Sequence, residues 1–232
     1  MNVDYERRQW AVSGILQFGT QPRSWLSLSL ILGALGFGIL GNPRSAHAAN
    51  APVILIRVTN YAQVPSGNLK AAEREAGRIF FAAGLMTEWV NCPSKGSATD
   101  TPNPCSQPLQ PHEIVLRLIS ESTSAQFQDS VFGFAVVPLV ASVYVNCAVR
   151  NAKKDNAEFE MPMILGSVIA HEIGHLLLGL NSHSPTGIMQ QRWERNQLRQ
   201  VVTGNMMFTV TQGKLMQADM QRRISVQTAV NP

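Results

Sequence analysis

The chain has 232 residues, a formal net charge of +4 at pH 7 and 45% hydrophobic residues, which is the composition of an ordinary globular protein. Its basic residues are scattered, apart from short pairs such as Lys153-Lys154 and Arg222-Arg223. Because nucleic-acid binding requires a clustered basic surface, we expect no nucleic-acid partner.

The N-terminal segment, residues 1–48, is predicted to be a secretory signal. Arg7 and Arg8 precede a charge-free apolar run over residues 25–40, and an Ala-His-Ala sequence over residues 46–48 offers small residues at the two positions that a signal peptidase reads. The apolar run is slightly shorter than a full membrane span of about 20 residues. The leader is long, which keeps a second interpretation open: the segment stays uncleaved and anchors the protein to a membrane. We therefore expect a secreted or periplasmic protein, or one anchored by this segment.

Residues 49–232 are predicted to form one domain of mixed α/β class. Runs of β-branched residues predict strands, apolar residues at helical spacing predict helices, and five prolines over residues 92–112 predict a loop. In chain order, the predicted elements are a strand over 53–60, a helix over 68–84, strands over 85–91, 113–120 and 141–149, a long apolar helix over 162–179, and weaker helices over 191–202 and 211–224.

The proline-rich loop contains two of the three cysteines, Cys92 and Cys105, and the third is Cys147. In an exported protein we expect two of them to form a disulfide. Three pairings are open, and we favour Cys92–Cys105, which would close the loop. No cysteine belongs to a cluster with metal-ligand spacing, so a cysteine-rich zinc module is not expected.

The helix over residues 162–179 carries a metal-binding pattern. His171 and His175 stand four residues apart, so both imidazoles project from one face of the helix. Two imidazole nitrogens at this spacing can hold a zinc ion at about 2.0–2.1 Å each. Glu172 follows the first histidine and can act as the general base that takes a proton from the activated water. The hydrolysis of an amide bond requires this set of groups.

A core helix that holds two histidines by chance is the other interpretation of the pattern. The helix is apolar on all sides, which predicts that it is buried. A buried carboxylate between two buried histidines is unfavourable unless a partner satisfies it, and a cation does so directly. We therefore expect bound Zn²⁺ rather than histidines that only bond to buried backbone.

A third ligand is needed, because a catalytic zinc usually takes three protein ligands and keeps one position for water. His183 lies eight residues after His175, which is about 12 Å further along the axis if the helix continued. Gly179 and Asn181 tolerate left-handed backbone, so the helix can end at Gly179 and the chain can turn back. That reversal would return His183 to the metal.

This order of residues resembles the metzincin clan of zinc metallopeptidases. The clan carries two helix histidines, a glutamate, a helix-ending glycine, a third histidine and a methionine in a tight turn below the zinc. The counterparts in this chain are His171, Glu172, His175, Gly179, His183 and Met189. The HEIGH sequence, with Ser184 after the third histidine, is most similar to the matrixin branch. The spacing differs: three residues instead of two separate His175 from Gly179 and Gly179 from His183.

The resemblance implies one metzincin-like catalytic domain with a twisted mixed sheet, a backing helix, an active-site helix and a C-terminal helix. It implies a zinc-dependent endopeptidase acting on peptides or proteins, with the three histidines as ligands, Glu172 as general base and Met189 in the turn below the metal. It also implies that the strand over residues 142–146 forms the edge of the sheet beside the cleft.

Two alternatives stay open. Glu194 lies 18 intervening residues after His175, a spacing that resembles glutamate-liganded zinc peptidases, and it would then replace His183 as the third ligand. Alternatively, the domain binds zinc without catalysis and serves in interaction. The presence of Glu172 favours an enzyme, since a site that no longer catalyses often loses its base.

Overall fold

The computed structural model describes residues 51–94, 104–121, 131–154, 160–179 and 181–230. The signal segment expected over residues 1–48 lies outside them. The elements in chain order are β1 (Val53–Asn60), α1 (Ser66–Ala82), β2 (Met86–Cys92), a 3₁₀ turn (Pro104–Ser106), β3 (Glu113–Ile119), β4 (Gly133–Val136), β5 (Val140–Tyr144), α2 (Val145–Lys154), α3 (Met161–Leu178), α4 (Arg195–Val202) and α5 (Val210–Val230).

The five strands form one mixed sheet in the order β2-β1-β3-β5-β4. The pairs β1–β2, β1–β3 and β3–β5 are parallel, and β4 pairs antiparallel with β5. The mixed α/β class predicted from the sequence is therefore confirmed. Strand β4, four residues long, is the edge strand next to the interior strand β5.

The core lies between the sheet and the helices α1 and α3. In β1, Ile54, Ile56 and Val58 alternate along the strand and are fully buried, which places them on one face of the sheet. They belong to one cluster with the buried apolar residues of α1 and α3. The two helices pack closely, since a Cβ atom on Gly166 would stand 2.5 Å from the backbone oxygen of Ala72.

Helix α3 is the core helix that the sequence predicts. By length and composition alone, it is the one helix in the described part of the chain that could cross a membrane, and most of it is buried inside the protein. The helix contacts the sheet on one side and α1 and α5 on others, so apolar residues on every side of α3 are buried.

Two strand predictions are wrong in the region before α3. The strand expected over residues 141–149 ends at Tyr144, and α2 begins at Val145. Val145 and Ala148 are three residues apart and both buried, a spacing that serves a helix as well as a strand. The edge strand expected over residues 142–146 is interior, because β4, which the sequence analysis did not predict, pairs along its outer side.

A disulfide joins Cys92, at the end of β2, to Cys105 in the 3₁₀ turn, which is the pairing that the sequence favours. The loop after Cys105 is tied to the sheet by Arg57, whose Nη1 donates to the carbonyl of Gln107 over 2.7 Å. Arg57 also forms a buried ion pair with Glu113 at 2.5 Å. Cys147 lies outside this disulfide and is buried in α2.

Candidate metal centre

His171 and His175 present their Nε2 atoms to the same point beside α3. The two Nε2 atoms are 3.1 Å apart. Two nitrogens bound at about 2.0–2.1 Å to a tetrahedral zinc ion are separated by about 3.3 Å, so the pair already has the spacing of two ligands of one ion.

Both helix histidines are held through their other ring nitrogen. Nδ1 of His171 lies 2.7 Å from the carbonyl oxygen of Ile188, and Nδ1 of His175 lies 2.9 Å from Oγ of Ser182. A carbonyl oxygen only accepts, so Nδ1 of His171 carries the proton and Nε2 of the neutral ring keeps a lone pair for a metal. Such partners of the distal nitrogen are a general feature of histidine ligands.

The chain reverses directly after α3 and brings His183 back to the helix. The helix ends at Leu178, Gly179 has a φ of +90° and Asn181 a φ of +63°, both in the region that only glycine and a few polar residues adopt readily. The ring of His183 is 4.7 Å from that of His175 and 5.6 Å from that of His171, between centroids. One potential ligand atom from each of the three rings lies within 4.8 Å of the others.

Met189 lies in a tight turn that packs against α3. The turn is closed by the amide of Ser184, which donates to the carbonyl of Met189 over 2.9 Å. The Met189 side chain is fully buried, and a Cβ atom on Gly174 would stand 2.7 Å from its Sδ. The thioether therefore forms an apolar support on the helix between the two histidines.

Glu172 lies on α3 and faces the edge strand. Its side chain is buried and packs against Gly133 of β4, which has no side chain to fill that space. Burial raises the pKa of Glu172 to about 8. A cation nearby favours the charged carboxylate and would lower that pKa again.

The histidines are in the protonation state that metal binding needs. Burial lowers the pKa of His171 to about 4 and that of His175 to about 3. Burial also lowers the pKa of His183. Because only the neutral imidazole ligates a metal, the site offers three neutral donors at pH 7. Three imidazoles are one of the donor sets of a catalytic Zn²⁺ site.

Glu194, the alternative third ligand, does not belong to this group. It is exposed and forms the N-cap of α4, where its side chain accepts the backbone amide of Gln197 and its own amide donates to the Gln197 side chain over 3.0 Å. A helix cap accounts for this carboxylate, and the geometry favours His183 as the third donor.

Three residues near the centre were missed by the sequence analysis. Ser182 contacts His175, Gly133 contacts Glu172, and Trp193 places its ring edge-on to His171 with centroids 5.7 Å apart. Trp193 in turn packs on Phe132, which precedes β4, with ring centroids 5.5 Å apart. None of them is at a fixed spacing from the histidines in a known pattern, so the sequence offered no signal for their roles.

Comparisons with known proteins give distant similarities in overall structure. The chain is similar to archaemetzincin from Methanopyrus kandleri, with 18% identity and a TM-score of 0.49, over 75% of this chain and 98% of that one. It is also similar to a zinc-dependent peptidase from Methanocorpusculum labreanum, with 17% identity and a TM-score of 0.46, over 70% of this chain and 99% of that one. No protein-family profile and no curated protein matches the sequence. We therefore infer function from the residues of the centre.

Proposed function

We propose that the protein is a zinc-dependent endopeptidase of the metzincin type. The observation that carries the proposal is the convergence of three neutral imidazoles, with ligand atoms within 4.8 Å of one another, beside a buried glutamate on the same helix. His171, His175 and His183 would hold Zn²⁺.

When bound, Zn²⁺ would polarise a peptide carbonyl and acidify water at the site. The protein's own part in the reaction falls to Glu172. Its carboxylate takes a proton from the attacking water while the oxygen forms a bond to the carbonyl carbon, and it returns that proton to the amine nitrogen as the C–N bond breaks. The products are a carboxylic acid and an amine, which ionise to carboxylate and ammonium at neutral pH, and Glu172 ends in its starting state.

The position of Glu172 suits this role. A general base has to lie within hydrogen-bonding reach of the water it activates, and Glu172 stands on α3 directly after His171 and one turn before His175. Contact with Gly133 holds its carboxyl between α3 and the edge strand. A carboxylate held in this way does not have to be reoriented during the reaction.

An extended peptide is the substrate form that the sheet favours. Strand β4 ends the sheet, so its outer backbone groups are in the position to pair with an added strand. A peptide bound there would run past Gly133, and therefore past Glu172. Backbone pairing recognises a chain and not a terminus, which is why we propose an endopeptidase.

We propose membership of the metzincin clan without assignment to its matrixin branch. The clan pattern is supported by a glycine that ends the helix, a third histidine returned by the loop, and Met189 packed on α3 at Gly174. The loop between His175 and His183 is longer than in the usual pattern of the clan. The closest subfamily is therefore left open.

We also propose that the protein acts outside the cytoplasm. The proposal is supported by the charge and apolar pattern of residues 1–48 and by the Cys92–Cys105 disulfide, since stable disulfides belong to oxidising compartments. Detection of the protein in periplasmic or secreted fractions, with the N-terminus determined by sequencing, tests this point.

Metal analysis and a peptide-library digest of the purified protein test the enzymatic proposal together. We expect about one zinc per chain, and cleavage within peptides that a chelator abolishes and added Zn²⁺ restores. Zinc binding without cleavage of any peptide in the library would favour the non-catalytic alternative. Failure to bind zinc would reject both.

A further inference from the structure

Ser182 stands in the loop that returns His183 to α3, next to that histidine in sequence. Its Oγ lies 2.9 Å from Nδ1 of His175, and the residue is half-buried. The hydroxyl is therefore a direct partner of one proposed ligand and a neighbour of another.

The partner of a histidine's distal nitrogen decides which ring nitrogen is available to a metal. When Nδ1 carries the proton and donates it, the lone pair of Nε2 faces the ion. His171 obtains this arrangement from a backbone carbonyl, that of Ile188. For His175 the partners are the Ser182 hydroxyl and the backbone of Gly179, so a point mutation can remove the side-chain partner without changing the backbone.

We propose that Ser182 is a positioning residue for the metal, acting through His175: its hydroxyl accepts the Nδ1 proton and directs Nε2 toward the ion. The inference rests on the metal-binding part of the proposed function and names a residue that the histidine pattern does not contain. His175 is 2% exposed, so water has little access to replace the hydroxyl.

A hydroxyl differs from a carbonyl because it can also donate. The Ser182 hydroxyl can therefore partner Nδ1 of His175 whichever of the two atoms carries the proton.

The turn before Ser182 makes this contact available. Three residues separate Gly179 from His183, and the left-handed conformation of Asn181, with a φ of +63°, turns the chain directly before Ser182. The loop thus supplies a ligand partner as well as a path to His183.

Zinc affinity of the full-length protein, measured by competition with a chromophoric chelator, tests the proposal. Ser182→Ala should weaken zinc binding by about 10-fold or more, the range for partners of metal ligands. Ser182→Thr keeps a hydroxyl, and Ser182→Val has the shape of threonine without the hydroxyl. The Thr variant should therefore bind zinc as tightly as the wild type, and the Val variant as weakly as the Ala variant. Ser184→Ala is the matched control, because the Ser184 hydroxyl donates to the backbone of Thr186 and accepts from the Gln212 side chain, and neither partner is an imidazole.

A second readout is the ¹⁵N NMR spectrum of the His175 ring. We expect the proton on Nδ1 of His175 in the zinc-loaded wild type, and a proton on Nε2 would overturn the role of Ser182. Equal zinc affinity of wild type and Ser182→Ala, or of the Thr and Val variants, would overturn the role of Ser182, while zinc binding by the wild type would leave the proposed function standing. If Ser182→Ala does not fold, the zinc affinities of Ser182→Thr and Ser182→Val test the proposal. A wild type that binds no zinc would overturn both.

Discussion

Gly133 and Glu172 are in direct contact across the boundary between the edge strand and α3. A Cβ atom at residue 133 would stand 2.9 Å from Cγ and 3.0 Å from Cδ of Glu172, and 2.4 Å from the backbone oxygen of Ser142. No side chain fits without moving the strand or the carboxylate. The position of the proposed base therefore depends on a residue in another element.

Gly133→Ala should keep zinc and lose most of the hydrolytic activity. A misplacement of a reacting group by about 1 Å can cost about 100-fold in rate, so we expect kcat/KM to fall by that order while zinc content is unchanged. The matched control is Gly67→Ala, because a Cβ atom there meets nothing within 4 Å. Steady-state kinetics with metal analysis check the result, and full activity of Gly133→Ala would contradict the proposed role of the contact.

Glu172→Gln should bind zinc as the wild type does and should not hydrolyse peptides. The amide keeps the size of the side chain and cannot accept the proton. Activity assays and zinc content, measured on the same preparation, separate catalysis from binding. A variant that cleaves peptides at the wild-type rate would rule out Glu172 as the base.

His183→Ala and Glu194→Ala should have opposite consequences for the metal. Dialysis against a mild chelator should remove most of the zinc from His183→Ala, because two ligands on one helix leave half of a tetrahedral site to water. Glu194→Ala should retain its zinc, although loss of the capping box should lower the free energy of unfolding. The reverse outcome would support the glutamate-liganded alternative.

The metal-free protein should gain stability at alkaline pH when Glu172 is replaced by glutamine. The folded-state pKa of Glu172 is raised from 4.5 to about 8, so between these values the folded state binds more protons than the unfolded state. The contribution of Glu172 to the free energy of unfolding therefore falls as pH rises through this window, by about 1.4 kcal/mol per unit of pKa shift.

Glutamine does not titrate, so the Tm difference between Glu172→Gln and the wild type should increase from pH 5 to pH 9 in favour of the variant. Thermal melts in the presence of a chelator measure it. A difference that is constant over this range would show that the carboxyl titrates at its ordinary pKa in the folded protein. Zinc should reduce the effect, because a cation stabilises the carboxylate.

The long elements and the three histidines could be predicted because their signals are local. His171 and His175 are one helical turn apart, and the residues that permit the reversal, Gly179 and Asn181, lie between them and His183 in sequence. The strand β1 and the helices α1 and α3 are long and strongly patterned. Each of these inferences needs only residues close together in the chain.

The remaining features depend on contacts between distant segments. Strand β4 has four residues and is a strand because β5 lies beside it, and Val145 begins a helix although β-branched residues favour strands. The contacts of Gly133 with Glu172 and of Trp193 with His171 join different elements. The Ser182 hydroxyl contacts His175 only because the loop folds back onto the helix, so the sequence alone gives no sign of its role.

The edge-on contact between Trp193 and His171 allows metal binding to be observed through the fluorescence of Trp193. The indole is 7% exposed and its ring centre is 5.7 Å from that of a proposed ligand, so its emission should respond to an ion held by His171. Co²⁺, which adopts tetrahedral sites similar to those of Zn²⁺ and has an open d shell, should quench that emission, whereas Zn²⁺, with a filled shell, should not. Metal exchange could then be followed in real time in the unlabelled protein, with Trp193→Phe as the reference that keeps the emission of the other three tryptophans and loses the response.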